Sequence, residues 1–405
     1  MSVSEAARRP HPAADPLLAS LLRTAAGRPQ QACLSTVERD YGYGEFVGCG
    51  ATVAAALREC GTRPGDRVVV LAEAYDAFLV SMLGVWLAGG VAVPLNVTLP
   101  AADLGRLVER AAPRVVLRGE DLDPSDTGHP SLTVDPLLVS SPVGETAFPG
   151  PDDLAMILFT SGTTGIPKGV CQTMDAVTGN ARRVATALGL TAHDRIFINT
   201  PPYYTSGICH FLTLAAAGGS LVGEAGFFFG DALLDRLEAR ACTGFGGAPA
   251  HLVRVVEPLS EARRVPGLRF WVSSGDHLPV HTIAQTRHLL PDVRLFNMYG
   301  LTEVSGRLCV LPPDELERRA GSVGRPLPDM SVGARDAGGT ALPPGEVGEL
   351  YVAGPLVMQG YLDDPEATAA ALGPRGFRTG DFGHTDADGF VWVAGRKDDI
   401  FKRGG

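Results

Sequence analysis

What most constrains this chain is an alternation along it of short apolar strand patterns with amphipathic helical patterns, punctuated by glycine. "FVGCGATVAAALRECG" (46–61) has helical spacing and stops at Gly61, and "DRVVVLA" (66–72) is an unbroken apolar run of strand length. "LGRLVERAAPRVVLR" (104–118) is a helix leading into a strand. "DAVTGNARRVATALGL" (175–190) is helical, "DRIFINT" (194–200) a strand, and "HFLTLAAAGGSLV" (210–222) a helix, a glycine stop and a strand. "DALLDRLEARACTGFGGAP" (231–249) and "RLFNMYG" (294–300) continue the series. Such alternation predicts an α/β fold with largely parallel sheets covered by helices.

Two departures from the alternation suggest how the chain divides. Residues 121–153, "DLDPSDTGHPSLTVDPLLVSSPVGETAFPGPDD", are rich in Pro, Ser and Asp and predict a subdomain boundary. After about Gly321 the chain turns to short strands separated by Gly and Pro, such as "VGELYVAG" (347–354), "GFRTGDFGHTDADG" (376–389) and "FVWVAG" (390–395). That predicts a small antiparallel, barrel-like β unit. The expected subdomains are about 16–150, 151–320 and 321–394.

Composition excludes several function classes. A net charge of −10 lacks the basic face that nucleic-acid binding needs. The seven cysteines are scattered without a C-x-x-C pair, which points to reduced thiols in a cytoplasmic protein and not to a disulfide frame or zinc site. Residues 1–15 have no apolar run and read as a loose arm, not a signal peptide. Ala77–Leu95, "AFLVSMLGVWLAGGVAVPL", carries no charge, but Gly89, Gly90 and Pro94 break it. It predicts a buried helix and strand, shorter than the roughly 20 residues a bilayer requires.

The densest functional signal is "FTSGTTGIPKGV" (159–170), which follows the apolar strand "LAMILF". The helical pattern resumes near Asp175, so the loop is expected at the carboxyl end of a strand, where α/β sheets bind ligands. Gly162, Gly165 and Gly169 let the backbone approach a ligand closely. Thr160, Ser161, Thr163 and Thr164 supply hydroxyls and Lys168 supplies a cation, together a cradle suited to polyphosphate. It is not a Walker A loop, because Pro167 and Gly169 stand where a Gly and the magnesium-binding Ser/Thr should be.

"TSGTTGIPKG" resembles the phosphate-loop signature of the adenylate-forming superfamily, and in particular acyl- and aryl-CoA synthetases. "NMYGLTE" (297–303), "GELYVAGPLVMQGYLDDPEAT" (348–368), "RTGD" (378–381) and "GRKDDIFKRGG" (395–405) agree with it in order and spacing. The resemblance runs from about residue 30 to the last residue. It implies adenylation: a substrate oxyanion attacks the α-phosphorus of ATP and pyrophosphate leaves. Such chemistry needs alignment and charge neutralisation more than an enzyme nucleophile.

The resemblance also implies site residues. Lys168, Thr302 and Glu303 would be catalytic, with Thr302 a donor to the α-phosphate and Glu303 a ligand for Mg2+. Tyr299 would stack on adenine, and Asp381 would accept hydrogen bonds from the ribose hydroxyls, with Arg396 reaching the ribose or phosphate. Ser274, Gly275, Asp276, Asn297 and Gly300 would complete the nucleotide site with residues 160–165. The substrate pocket would be lined by Tyr203, Tyr204, Thr205, Ser206 and Gly207, with Gly275 and Gly300. Taken alone, Tyr299 would be a core ring, Glu303 a solvated acid and Asp381 a turn former.

Several departures bear on function. Tyr204 stands where these synthetases often carry His in P-L-F-H-x-x-G, and Thr205 stands where amino-acid-activating relatives carry Asp, which disfavours an α-amino acid. Pro201, Pro202 and the Tyr pair are either a packed turn or a substrate wall. Asp398 matches the hinge position, beyond which the family continues as a mobile lid that completes the site. The chain is expected to be the large N-terminal domain alone (1–394 plus the hinge motif 395–405), trimmed of its lid and slow in turnover.

The expected function is ATP-dependent adenylation of an aryl or medium acyl acid, a small molecule, with CoA or another acceptor. One alternative is activation of nitrite for diazo formation on an aryl amine. Another is a non-catalytic nucleotide-binding protein. A serine hydrolase is suggested only by "SSGDH" (273–277), without a G-x-S-x-G elbow, and residues adjacent on one strand do not face one another as a triad.

Overall fold

A computed structural model describes residues 17–120, 122, 128–144, 148–160, 167–226 and 228–396. The expected phosphate-loop residues Ser161, Gly162, Thr163, Thr164 and Gly165, and the hinge residue Asp398, lie outside the described residues.

Three sheets organise the chain. The first has nine strands: β1 (Ala32–Ser35), β2 (Asp40–Gly42), β9 (Arg195–Ile198), β10 (Ser220–Gly223), β11 (Gly244–Gly247), β12 (Phe270–Ser274), β13 (Arg294–Tyr299), β14 (Cys309–Leu311) and β15 (Arg325–Pro326). Their order is β15-β14-β13-β12-β11-β9-β10-β1-β2, parallel from β13 to β1 with antiparallel edges. The second has seven: β3 (Arg67–Leu71), β4 (Val91–Pro94), β5 (Val115–Arg118), β6 (Ser131–Thr133), β7 (Leu154–Thr160), β8 (Lys168–Thr173) and β18 (Gly360–Tyr361). It runs β18-β8-β7-β4-β3-β5-β6, antiparallel only at β7, β8 and β18. The third is wholly antiparallel: β16 (Ser331–Arg335), β17 (Gly348–Ala353), β20 (Gly376–Thr385) and β19 (Leu372–Gly373), with β21 (Val391–Arg396) on β20. The α/β class and the small antiparallel unit are as the sequence predicts.

The uncharged stretch now has its explanation. In the helix Tyr75–Leu87 every residue but Asp76 is buried. One core cluster joins its side chains to Val68 and Val70 of the second sheet and Ile196, Ile198 and Leu221 of the first. A helix packed on all sides needs no polar face. Full burial of rings such as Phe78 and Trp86 is worth about 1.5–3 kcal/mol each. The Trp86 indole N–H also donates to the Ala155 carbonyl at 2.8 Å, tying the helix to β7.

One expectation needs correction. The sheets do not divide near residue 150. β7 pairs with β4, so the Pro- and Ser-rich stretch is a long connection that returns to the sheet it left. Conversely β1 and β2, early in the chain, add to the edge of the first sheet through β10. The phosphate loop follows the carboxyl end of β7, as expected. It joins two antiparallel strands, with Thr160 opposite Lys168, and only after β8 does the helix Met174–Leu188 begin. β8 escapes a sequence reading because its four central residues are all buried, which leaves no alternation to see.

No described helix is long and apolar enough to cross a membrane. All seven cysteines are free thiols.

Candidate active site

β12 and β13 are parallel neighbours that end together at Ser274 and Tyr299, and the candidate residues gather at those carboxyl ends. Each strand leaves through a glycine for a different reason. Gly275 has φ +100 with open space around it, so the backbone angle selects it. At Gly300 a Cβ would lie 2.2 Å from the Gly306 carbonyl oxygen, so close approach selects it. The chain then makes a short 3-10 turn, Thr302–Val304, which presents Thr302 and Glu303.

That turn is held from below. Buried Gln172 on β8 donates to the Thr302 carbonyl at 2.6 Å and accepts from the Ser305 hydroxyl at 2.8 Å. The connection from β17 to β18 supplies a second clamp, in which the Met358 N–H donates to the Glu303 carbonyl at 2.8 Å.

Three side chains from distant segments then meet. β18 pairs with β8 and sets Tyr361 opposite Val170, two residues from Lys168. The Lys168 ammonium lies 5.0 Å from the centre of the Tyr361 ring, a cation–π contact. The Tyr361 hydroxyl donates to Glu303 Oε1 at 3.1 Å. Burial, then the Glu303 charge, raises the Tyr361 pKa, which keeps its proton available for donation. Lys168 has no carboxylate partner among the described residues.

A second group forms where the third sheet faces the first. Asp381 on β20 is buried and lies directly opposite Arg396 on β21. The Tyr299 hydroxyl donates to Asp381 Oδ2, and Arg396 Nε lies 3.4 Å from Oδ1. Burial first, and the Asp381 charge second, hold the Tyr299 pKa well above its ordinary value. This phenol therefore stays a donor across the working pH range. Thr379 Oγ1 braces the turn by accepting the Asp381 N–H at 3.0 Å and donating to the Leu350 carbonyl at 2.8 Å.

Other predicted nucleotide contacts are placed less directly. Ser274 Oγ is buried with no partner among the described residues. Asn297 is buried and gives its amide to the Ser322 carbonyl at 3.2 Å, which commits it to the fold. Asp276 is exposed and accepts the N–H of its neighbour His277 at 2.7 Å, the turn-forming behaviour of an isolated Asp. Thr160 Oγ1 reaches the Lys168 carbonyl at 3.5 Å, closing the mouth of the hairpin.

The segment 203–207 divides. Tyr203 packs in the core, whereas Tyr204 is 47% exposed, with the two ring centres 4.9 Å apart. Gly207 lies against the Pro201–Pro202 turn, where a Cβ would be 2.9 Å from the Pro201 carbonyl oxygen. From Thr205 the chain is the helix Thr205–Ala217, and the Thr205 and Thr302 hydroxyls lie 3.3 Å apart. That contact joins the predicted pocket to the predicted phosphate residues. One residue along, Ser206 accepts from buried Arg307 at 3.0 Å.

Gln172, Tyr361, His210 and Arg307 were not predicted. Tyr361 sits inside the quoted 348–368 string, but its role needs the β8–β18 pairing. Arg307 is a lone charge in the glycine-bounded apolar stretch "SGRLCVL", the one signal that could have found it.

A cavity of about 410 Å3, lined among others by Arg264, Arg269, Asp292 and Arg294, lies at the opposite, amino ends of β12 and β13. None of the predicted residues faces it.

Residues 21–362 match the family described as AMP-binding enzyme. The chain belongs to that family. Similar proteins of the AMP-binding enzyme family include an indoleacetate–CoA ligase of Aromatoleum aromaticum, 28% identical over 95% of this chain and 79% of that protein. A 2-succinylbenzoate–CoA ligase of Bacillus licheniformis is 31% identical over 87% of this chain and 73% of its own length. Among solved structures, VinN superposes with a TM-score of 0.85 at 28% identity, covering 94% of this chain and 98% of VinN. This AMP-binding enzyme is a ligase of the AMP-forming class.

Proposed function

We propose that the enzyme adenylates a small-molecule carboxylic acid with ATP and Mg2+, releasing pyrophosphate, and passes the acyl group to CoA or another acceptor. The observation that carries this is the convergence of Lys168, Tyr361 and Glu303 on one side of Thr302 with Thr205 on the other.

The residues fit the nucleotide and the metal. Among the described residues no three His, Cys, Asp or Glu side chains cluster as a metal site, so Glu303 would hold Mg2+ by one carboxylate. That suits an ion that keeps its waters and shares phosphate oxygens. Bound there, Mg2+ would neutralise charge on the phosphates. Lys168, without a carboxylate of its own, would neutralise the leaving pyrophosphate. Tyr361 would hold Glu303 and Lys168 in register, and the Thr302 hydroxyl would donate toward the α-phosphoryl oxygens. The buried Asp381, already oriented by Tyr299 and Arg396, would accept from the ribose hydroxyls. In the reaction the acid's carboxylate oxygen forms the new bond to phosphorus and the bond to pyrophosphate breaks, a displacement served by alignment.

Nucleotide binding tests this without turnover. ATP and AMP are each expected to raise the melting temperature by mass action. Lys168→Ala is expected to weaken ATP much more than AMP, because its charge serves the phosphates that AMP lacks. A well-folded chain that shifts with neither nucleotide would remove the adenylation reading.

A further inference from the structure

Arg307 is 6% exposed and has no carboxylate partner among the described residues. One of its guanidinium nitrogens donates to the Gly306 carbonyl at 3.0 Å and another to Ser206 Oγ at 3.0 Å. Both acceptors are neutral. A buried charge without a counter-ion costs several kcal/mol, and an arginine cannot escape the cost by releasing its proton.

The described neighbours offer no internal counter-ion. Cys209 lies under Gly306, where a Cβ would be 2.5 Å from its Sγ. Burial raises its pKa despite the Arg307 charge, so it stays a neutral thiol. His210 follows Ser206 by one turn on the same helix face and is 5% exposed. Its Nε2 has no partner among the described residues, and burial with the Arg307 charge pushes its pKa down to about 3, so it is neutral. The helix Thr205–Ala217 begins at this place without a side-chain cap, and its amino end adds positive potential. The described groups beside Arg307 are therefore neutral or electropositive. Among the described residues none supplies the anion that this cation lacks.

The position of this cation decides what that anion is. Gly300, Gly306 and Arg307 are in backbone contact, and Thr205, beside Ser206, reaches the Thr302 hydroxyl. Arg307 thus adjoins Ser206 and Gly300, which were expected to line the acid's pocket, whereas Lys168 meets Tyr361 and, through it, Glu303. We propose that the acid carries a second anionic group, a second carboxylate, which pairs with Arg307 inside the pocket, with Ser206 and the His210 ring beside it. This rests on the adenylation reading. It narrows the substrate from aryl or acyl acids in general to diacids. Arg307 would set specificity through a charge-assisted hydrogen bond that a monoacid cannot make.

Calorimetric titration of acids into the AMP-saturated chain tests it with no need for turnover. The probes are succinate, glutarate and phthalate against the matched monoacids butyrate, valerate and benzoate, with nitrite as a further arm. At least one diacid is expected to bind about tenfold or more tighter than its matched monoacid. Arg307→Leu is expected to erase that difference while the AMP-induced melting shift persists. If Arg307→Leu fails to fold, Ser206→Ala is expected to reduce the preference by a smaller factor, and the wild-type comparison decides alone. Monoacids binding as tightly as diacids, no diacid binding at all, or binding of nitrite alone would each overturn the proposal. Absence of the AMP shift in folded wild-type chain would instead overturn adenylation itself.

Discussion

On one side of Thr302 the charged groups are already partnered. Tyr361 links Lys168 to Glu303, and Asp381 sits between Tyr299 and Arg396. On the other side Arg307 and His210 are also buried, and among the described residues they lack such partners. On the proposed reading the nucleotide side would be orientation fixed in advance, which lowers the cost of binding a charged, flexible ligand. The proposed acid side would hold back a cation whose partner is the ligand, so affinity there would depend on which acid arrives. Preorganisation would then serve the invariant part of the reaction, and unmet charge the choice of substrate.

The largest expected effect breaks the partnered side. Asp381→Ala removes a buried carboxylate that accepts from Tyr299 and faces Arg396, leaving a buried phenol without its acceptor. Hydrogen bonds to charged groups are worth about 1.5–3 kcal/mol, so ATP and AMP affinity is expected to fall about tenfold to a hundredfold. Because AMP keeps the ribose, both nucleotides should weaken alike, unlike in Lys168→Ala. Titration calorimetry with each nucleotide measures this. Unchanged AMP affinity in Asp381→Ala would show that the Tyr299–Asp381–Arg396 group merely joins two sheets.

A smaller effect separates the two functions of Tyr361. Tyr361→Phe keeps the ring beneath Lys168 and deletes only the donor to Glu303. ATP affinity measured with Mg2+ is expected to fall about tenfold, the value of one hydrogen bond to a charged acceptor. Affinity measured without Mg2+ should hardly change, since Glu303 serves the metal. Equal losses under both conditions would mean that Tyr361 acts through Lys168 and not through Glu303.

The same contrast explains what the sequence could reveal. Tyr299, Thr302, Glu303 and Lys168 lie within contiguous strings because each sits where a strand ends or begins, and backbone turns at such places need particular residues in order; Asp381 lies inside β20 and was legible only through the string "RTGD". Tyr361 and Gln172 depend on which strands become neighbours. The pairing of β18 with β8 crosses nearly two hundred residues, and no local pattern encodes it. Arg307 was hidden for another reason: one charge beside a glycine looks like a surface arginine until its burial is known. The same limit misplaced the boundary near residue 150, since Pro and Ser mark a connection without saying to which sheet it returns.

The smallest expected effect concerns Tyr204, at the exposed rim of the acid side. Nearly half of its surface is open, and its neighbour Tyr203 carries the core packing. Tyr204→Ala is therefore expected to change folding stability by no more than about 0.5 kcal/mol, as for surface substitutions away from special features. It immediately precedes the helix that carries Ser206 and His210, so on the proposed reading its ring would wall the pocket's entrance. Loss of a half-exposed ring contact should weaken acid binding about threefold, in diacids and monoacids alike, and leave AMP binding intact. Arg307→Leu, by contrast, should act on the difference between the two acid classes. If Tyr204→Ala instead changed that difference, the second carboxylate would be reading the rim and not the buried cation. If it unfolded the chain, Tyr204 would be part of the core and the pocket's entrance would lie elsewhere.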